Sequence, residues 1–313
     1  MAMRILVVGA GAVGGYFGAR LAKAGRDVTF LVRASRATQL RRDGLCVISP
    51  RGDLLLTPKL IEAGEIDGPY DLVLLSVKAY ALEAAIDDLA PAVGPETMIL
   101  PVLNGLRHIE LLTQRFGEGA IIGGVCLVAT EIDGGGRIVQ LSEIQQLVYG
   151  ERNGNVTPRL QSLDATLQSA GFDAHLSTDI IQAMWEKWVM LASLGAVTCL
   201  MRGAVGEVVA IPGGAGLSLQ VLNECAAVGA ACGHKPSEIL QSRQAAAMTA
   251  QGSPLTSSMY RDLIKGAPVE VDHILGDLLR RAVMEGVATP LLNAAFINLQ
   301  IYQAGLSKHS FAN

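Results

Sequence analysis

A glycine-rich turn between a short apolar run and a helical stretch constrains this chain more than any other feature. Met3–Val8 (MRILVV) reads as a buried strand, Gly9–Gly14 (GAGAVG) follows, and a helical stretch runs to Ala24, with Gly25 at the C′ position. Asp27–Val32 (DVTFLV) is a second strand, so the segment forms a βαβ unit of about thirty residues. A G-x-G-x-x-G alone means little, but directly after a strand and opening a helix it is the turn that cradles a dinucleotide. The first glycine permits the tight turn, the second lets backbone approach a pyrophosphate, and the third brings helix and strand together. Gly9, Ala10, Gly11, Ala12, Val13 and Gly14 are therefore the expected phosphate contacts, at a helix end whose partial positive charge suits anions. The competing reading is a structural turn with no ligand.

The alternation of strand and helix continues. Asp71–Ser76 and Thr97–Pro101 read as strands, with a helix over Ala79–Leu89 between them. Ala120–Ala129 and Ile138–Tyr149 are strand-rich and flank the turn Asp133-Gly134-Gly135-Gly136, while Thr157-Pro158 caps and opens another helix. After about Ser177 no strand is expected. Ile180–Leu200, Gly213–Cys232, Ser237–Ala250, Ser257–Lys265, Pro268–Met284 and Pro290–Gln303 read as helices divided by Gly or Pro, with a loose tail from about Ser307. The expected architecture is α/β: a Rossmann-type, doubly wound dinucleotide-binding domain over residues 1–178 and an all-α domain over residues 179–313. The active site is expected in the cleft between them.

The end of the second strand discriminates between dinucleotides. NAD sites place a carboxylate there for the ribose hydroxyls. Here the strand runs into Val32-Arg33-Ala34-Ser35-Arg36, with no carboxylate, and Arg33, with Arg36 as a second candidate, suits a 2′-phosphate. The expected cofactor is NADPH; ordinary solvated arginines are the alternative. Half of the 313 residues are apolar and 17% are charged, enough to bury a large core, yet no uninterrupted apolar run reaches about eighteen residues, so no membrane partner is expected. The apolar run after Arg4 is too short for a targeting signal. A net charge of −4 without a basic block argues against nucleic acid. Five dispersed cysteines without zinc spacing suit reduced core thiols in a cytoplasmic protein, with no metal site.

Two further segments lie at strand ends, where open α/β sheets bind ligands: Ser76-Val77-Lys78-Ala79 and Leu103-Asn104-Gly105. Together with Trp185-Glu186-Lys187, Thr256-Ser257-Ser258-Met259, Glu270-Val271-Asp272 and Leu278-Leu279-Arg280-Arg281, they give the chain a sequence that resembles the ketopantoate reductase (2-dehydropantoate 2-reductase) family over nearly its whole length. Thr256–Pro290 is the most family-specific stretch. The resemblance implies reduction of a 2-oxo acid, 2-dehydropantoate to pantoate in pantothenate biosynthesis or a related, more apolar acid. It implies a substrate-binding and catalytic role for residues 179–313, in which Lys187 is the catalytic proton donor and Glu270 helps bind cofactor and organise catalysis. It also places Ser258 on the substrate, Asn104 on both nicotinamide and substrate, Lys78 near the cofactor and Ala129 beside it through its backbone. On the resemblance alone a homodimer through the helical domain is expected. The chemistry agrees: hydride addition to a ketone leaves an alkoxide, which needs a nearby acid or cation, and the substrate carboxylate needs donors such as Ser, Asn or Lys.

The chain departs from the family at two positions. The family carries asparagines four and eight residues after the lysine, on the same helix face. Here those positions are Leu191 and Gly195, and Ser193 faces elsewhere. A site without those donors loses discrimination for a substrate hydroxyl. Gly195 is expected to open space for a bulkier or more apolar 2-oxo acid. Two other readings stay open: a different hydroxyacid or polyol-phosphate dehydrogenase on this scaffold, and a paralogue that binds NADPH without turnover.

Overall fold

The structure, a computed structural model, describes residues 2–310. The chain divides into two compact units, residues 1–103 with 108–181 and residues 104–107 with 182–313.

In the first unit the elements run β1 (Arg4–Val8), α1 (Ala12–Lys23), β2 (Asp27–Leu31), α2 (Ala34–Asp43), β3 (Leu45–Ile48), β4 (Leu54–Leu56), β5 (Lys59–Ile61), β6 (Leu72–Leu75), α3 (Leu82–Leu89), β7 (Met98–Pro101), α4 (Arg107–Phe116), β8 (Ile122–Ile132), β9 (Ile138–Glu151), α5 (Pro158–Leu167) and β10 (Asp173–Leu176). Arg107, at the start of α4, belongs to the second unit. Five parallel strands form one sheet in the order β5-β2-β1-β6-β7. Its strands are short apolar runs because both faces are covered; Ile5, Leu6, Val7, Leu72, Val73, Leu74, Ile99 and Leu100 are fully buried. The order reverses between β1 and β6, and the segments after the carboxyl ends of these strands are the glycine turn and Ser76–Lys78.

A second sheet, β10-β9-β3-β4 with β8 paired to β9, packs on the other side of α1. α1 can lie between two sheets because its residues are small where it meets them. A Cβ on Gly18 would sit 2.5 Å from the Phe30 ring, and one on Gly15 would overlap Ile138. The two long strands of this second sheet, β8 and β9, are the strand-rich segments expected on either side of the Asp-Gly-Gly-Gly turn, whereas β3, β4 and β10 are not expected from the sequence. β3, β4 and β10, like β5 of the first sheet, are only three or four residues long, too short for periodicity to register, and they are held by pairing with neighbouring strands rather than by local propensity.

The second unit is helical: α6 (Ile180–Met201, whose first two residues belong to the first unit), α7 (Val205–Val209), α8 (Gly214–Ala231), α9 (Glu238–Met248), α10 (Ser258–Ile264), a π-helical turn (Asp272–Gly276), α11 (Asp277–Met284) and α12 (Pro290–Ser310). Two expectations need correction. The helix expected from Pro268 begins at Val271, and ahead of it the Val269 backbone N–H donates to the Gln303 side chain at 3.0 Å. The loose tail expected from Ser307 is helical through Ser310, with no Gly or Pro after Gly305 to stop it; residues 311–313 lie outside the described residues. The core thiols also divide: Cys126, Cys199 and Cys225 are buried, whereas Cys46 and Cys232 are half-buried. Among the described residues no helix is long and apolar enough to cross a membrane.

Candidate functional site

The glycine turn has the geometry its sequence requires. Gly9 adopts φ +93°, and its N–H donates to the Leu31 carbonyl at 3.0 Å, closing the turn on β2. Gly14 is packed so closely that a Cβ would fall onto the Ser76 hydroxyl and the Gly9 carbonyl. That hydroxyl donates to the carbonyls of Val8 and Gly9, both at 3.0 Å, so Ser76 braces the turn from the neighbouring strand. Gly11 is different: a Cβ there would meet nothing within 4 Å. It is the N-cap of α1, no acidic residue occupies the first helical turn, and Ala12 and Val13 are half-exposed. The turn thus leaves an open cradle beside a helix N-terminus, which fits a pyrophosphate.

At the end of β2, Arg33 is the N-cap of α2; its side chain is exposed and makes no hydrogen bond or ion pair among the described residues. Arg36 is otherwise placed. It is half-buried, with its Nε donating to the Ala10 carbonyl at 3.1 Å and Nη1 to the Gly136 carbonyl at 2.9 Å. Lys78, after β6, is half-buried. Ala129 sits at a bulge: Val128 pairs with Gln145 and Thr130 with Gln140, so Ala129 faces the four-residue excursion 141–144 and stands outside the ladder.

In the second unit the segment Asn104–Arg107 meets the helices. Gly105 adopts φ +77°, and a Cβ on it would lie 2.6 Å from the His273 carbonyl. His273 lies in the π-helical turn that follows Glu270, and the next carbonyl, of Ile274, accepts the Trp188 indole N–H at 2.9 Å. Trp188 directly follows Lys187 on α6. One π-helical turn therefore ties the asparagine turn, the lysine helix and the glutamate segment together, a local irregularity of the kind that recurs at functional sites. Glu270 is 7% exposed and Lys187 is half-buried. The Asn104 amide and the Ser258 hydroxyl are half-buried and engage no partner among the described residues, so both have donors available. The neighbouring Ser257 is committed instead: it caps α10 through Tyr260 N–H at 2.9 Å and meets Thr198 at 3.0 Å. Burial, then the charge of Arg107, pushes the His273 imidazole below its ordinary pKa, and its Nε2 is buried without a hydrogen-bond partner.

The two tryptophans have structural work. Trp185 stacks on His234 with ring centroids 5.2 Å apart, and the Arg281 guanidinium lies 5.5 Å from both tryptophan rings while pairing with Asp277. The Trp-Glu-Lys-Trp and Leu-Leu-Arg-Arg segments are thus linked physically, and the rotation of α6 about its axis is fixed. Replacing Trp188 with phenylalanine removes the indole bond to the Ile274 carbonyl and part of a buried side chain, and we expect a loss of about 1–3 kcal/mol in unfolding free energy. Chemical denaturation checks this; an unchanged midpoint would mean that the carbonyl finds another donor.

Two family models cover most of the chain. Residues 5–154 match ketopantoate reductase PanE/ApbA, and residues 179–303 match its C-terminal domain. The chain belongs to the ketopantoate reductase family. It is 36% identical over 302 residues to the uncharacterized oxidoreductase YkpB of Bacillus subtilis strain 168, covering 96% of this chain and 99% of that one. Its fold matches a 2-dehydropantoate 2-reductase from Geobacter metallireducens GS-15 at 30% identity and TM-score 0.87, over 95% of this chain and 99% of the other. It also matches, at 22% identity and TM-score 0.87, D-mandelate dehydrogenase with NADH and anilino(oxo)acetate, over 97% of this chain and all of the other; at that identity the fold alone is shared.

The structure corrects one expectation about the departures from this family. Gly195 is buried but opens no space: a Cβ there would lie 2.7 Å from Cε of Met259, which is itself only 2% exposed. Met259, one residue after Ser258, fills the notch with its thioether tip, as a flexible methionine does. Ser193 cannot substitute for the missing asparagines, because its hydroxyl donates to the Val189 carbonyl of its own helix at 2.7 Å and is fully buried. Leu191 is half-buried. At the two positions where the resemblance implies asparagines, this chain has the half-buried Leu191 and a Gly195 covered by Met259. Sequence reading missed Met259 because its signal lies in the pairing with a glycine sixty-odd positions away.

Proposed function

We propose that this protein is an NADPH-dependent reductase of 2-oxo acids, with residues 1–178 holding the dinucleotide and residues 179–313 carrying substrate binding and catalysis. The observation that carries the proposal is the π-helical turn after Glu270, which holds both Gly105, next to Asn104, and Trp188, next to Lys187; with Ser258, Asn104 and Lys187 would supply the donors. The first unit supports it with the open cradle at Gly11 and with Arg33 where a carboxylate would otherwise select NAD. Gly9–Gly14, Lys78 and the Ala129 backbone line the dinucleotide's path, and Arg33 takes its 2′-phosphate.

The reduced nicotinamide supplies a hydride to the carbonyl carbon. Lys187 gives a proton to the keto oxygen as it becomes an alkoxide, so the acid leaves as a 2-hydroxy acid. Asn104 orients the carbonyl through its unengaged amide, and the Ser258 hydroxyl receives the carboxylate. Glu270, nearly fully buried, organises the site and contacts the cofactor. In keeping with the family we propose a cytoplasmic homodimer that meets neither nucleic acid nor membrane.

Leu191 and Met259 direct the substrate choice toward acids whose side chain is apolar near the carbonyl. Two neutral amides that would bind a substrate hydroxyl are absent, and a hydroxylated acid would have to shed water against hydrocarbon. Steady-state kinetics on paired 2-oxo acids, one with a side-chain hydroxyl and one without, test this. We expect kcat/KM to favour the apolar acid by about ten-fold or more, since an unpaired hydroxyl costs roughly 1–3 kcal/mol. A clear preference for ketopantoate would overturn the substrate assignment while leaving the reaction type standing.

A further inference from the structure

We propose that Arg36 is a positioning residue for the dinucleotide: it fastens the glycine turn to the β8–β9 turn and keeps a fixed positive charge beside the phosphate-binding backbone. The proposal rests on the dinucleotide reading above and adds a residue that the family resemblance does not assign.

Three observations carry it. First, Arg36 bridges segments far apart in sequence. Its Nε bonds the Ala10 carbonyl within the glycine turn at 3.1 Å, and its Nη1 bonds the Gly136 carbonyl at 2.9 Å and the Gln39 side chain at 2.7 Å. Second, the turn it grips is rigid. The Asp133 carboxylate accepts the Gly135 and Arg137 N–H groups, both at 2.9 Å, and the Arg137 guanidinium at 2.8 Å. Gln39 donates to the Gly135 carbonyl at 3.3 Å, and a Cβ on Gly136 would collide with the Gln39 side chain. The Asp-Gly-Gly-Gly turn is thus seated on α2, and Arg36 transmits that anchorage to Ala10. Third, every acceptor of Arg36 is neutral. No carboxylate pairs with it among the described residues, and Nη2 is buried without a hydrogen-bond partner. A half-buried guanidinium without a counter-charge is costly, and the phosphates of a dinucleotide on the glycine turn would supply one.

Arg33, the N-cap of α2, and Arg36, inside the helix, therefore act differently. Arg33 is exposed and unengaged, suited to touch a 2′-phosphate directly. The Nη2 of Arg36 is sealed from solvent, so Arg36 acts by placing the loop and by its field.

Fluorescence titration of the full-length protein with NADPH and with NADH separates these roles, with the melting temperature recorded for each variant. Arg36→Met is expected to weaken both dinucleotides by a similar factor, about ten-fold or more, and to flatten the salt dependence of binding. Arg36→Lys keeps the charge without the fork and is expected to recover only part of the affinity. Arg33→Ala is expected to weaken NADPH selectively. Unchanged affinities in a folded Arg36→Met variant would overturn the proposal, even if its melting temperature fell. Selective loss of NADPH alone would also overturn it, by making Arg36 a direct 2′-phosphate contact. Should Arg36→Met fail to fold, Arg36→Lys decides: full affinity for both dinucleotides sinks the proposal. A wild-type protein that binds neither dinucleotide fails the underlying reading instead.

Discussion

Replacing Lys187 with alanine is expected to lower kcat for 2-oxo acid reduction by about 10²–10⁴-fold while leaving NADPH affinity nearly unchanged. Lys187 lies inside the 22-residue helix α6, and alanine is the best helix former, so the helix itself should hold. The helix's orientation is held by its neighbours, since Trp188 is bonded to Ile274 and Trp185 is stacked on His234. What is lost is the proton donor and the cation that meets the developing alkoxide. Lys187→Arg sharpens the test: it restores the charge, but a guanidinium does not give up its proton near neutral pH, so most of the rate should stay lost. Stopped-flow hydride transfer and dinucleotide titration measure the two quantities separately. Equal losses in rate and in NADPH binding would remove Lys187 from the acid's role.

The second large effect is expected in the glycine turn, where two substitutions should fail for opposite reasons. Gly14→Ala places a Cβ on the Ser76 hydroxyl and on the backbone carbonyl of Gly9, and neither can withdraw without undoing the turn. We expect a stability loss of about 1–3 kcal/mol or more, although alanine is ordinarily the better residue inside a helix. Gly11→Ala meets no protein atom within 4 Å, and the φ of −80° there is ordinary for alanine. Its cost to folding should stay under about 1 kcal/mol, from a poorer N-cap. Its Cβ stands in the open cradle, however, so dinucleotide affinity should fall by about ten-fold or more. Melting curves and dinucleotide titrations on the same two variants distinguish them. A stable, tight-binding Gly11→Ala would show that nothing approaches the backbone at that position.

Much of this could be read from sequence because the signals were local. The β1–α1–β2 unit is written in a run of apolar residues, three glycines at fixed spacing and Gly25 at the helix end. The helix start at Thr157 is likewise visible as a cap, and its side chain accepts the N3 amide in the structure. The shortest strands of both sheets were not legible. Leu54–Leu56 and Lys59–Ile61 carry no periodicity, and they are strands only because neighbouring strands supply their hydrogen bonds. The candidate site follows the same division. Lys187, Ser258, Glu270 and Asn104 were named from motif resemblance, and their types suit the chemistry. The parts that hold them were hidden: the π-helical turn, the Trp188 bond to Ile274, and Met259 in the notch at Gly195 all arise from contacts between distant segments. Reading Gly195 as open space was the natural inference from one residue, and it failed because packing fills such gaps wherever a flexible side chain can reach.

The most direct test of the central claim is oxidation of NADPH by the wild-type protein across a panel of 2-oxo acids that includes ketopantoate, with the product identified. We predict acceptor-dependent oxidation that yields the matching 2-hydroxy acid, fastest with an acid that is apolar beside the carbonyl. Tight NADPH binding with no oxidation by any member of the panel would contradict the claim and make the protein a dinucleotide binder without this chemistry.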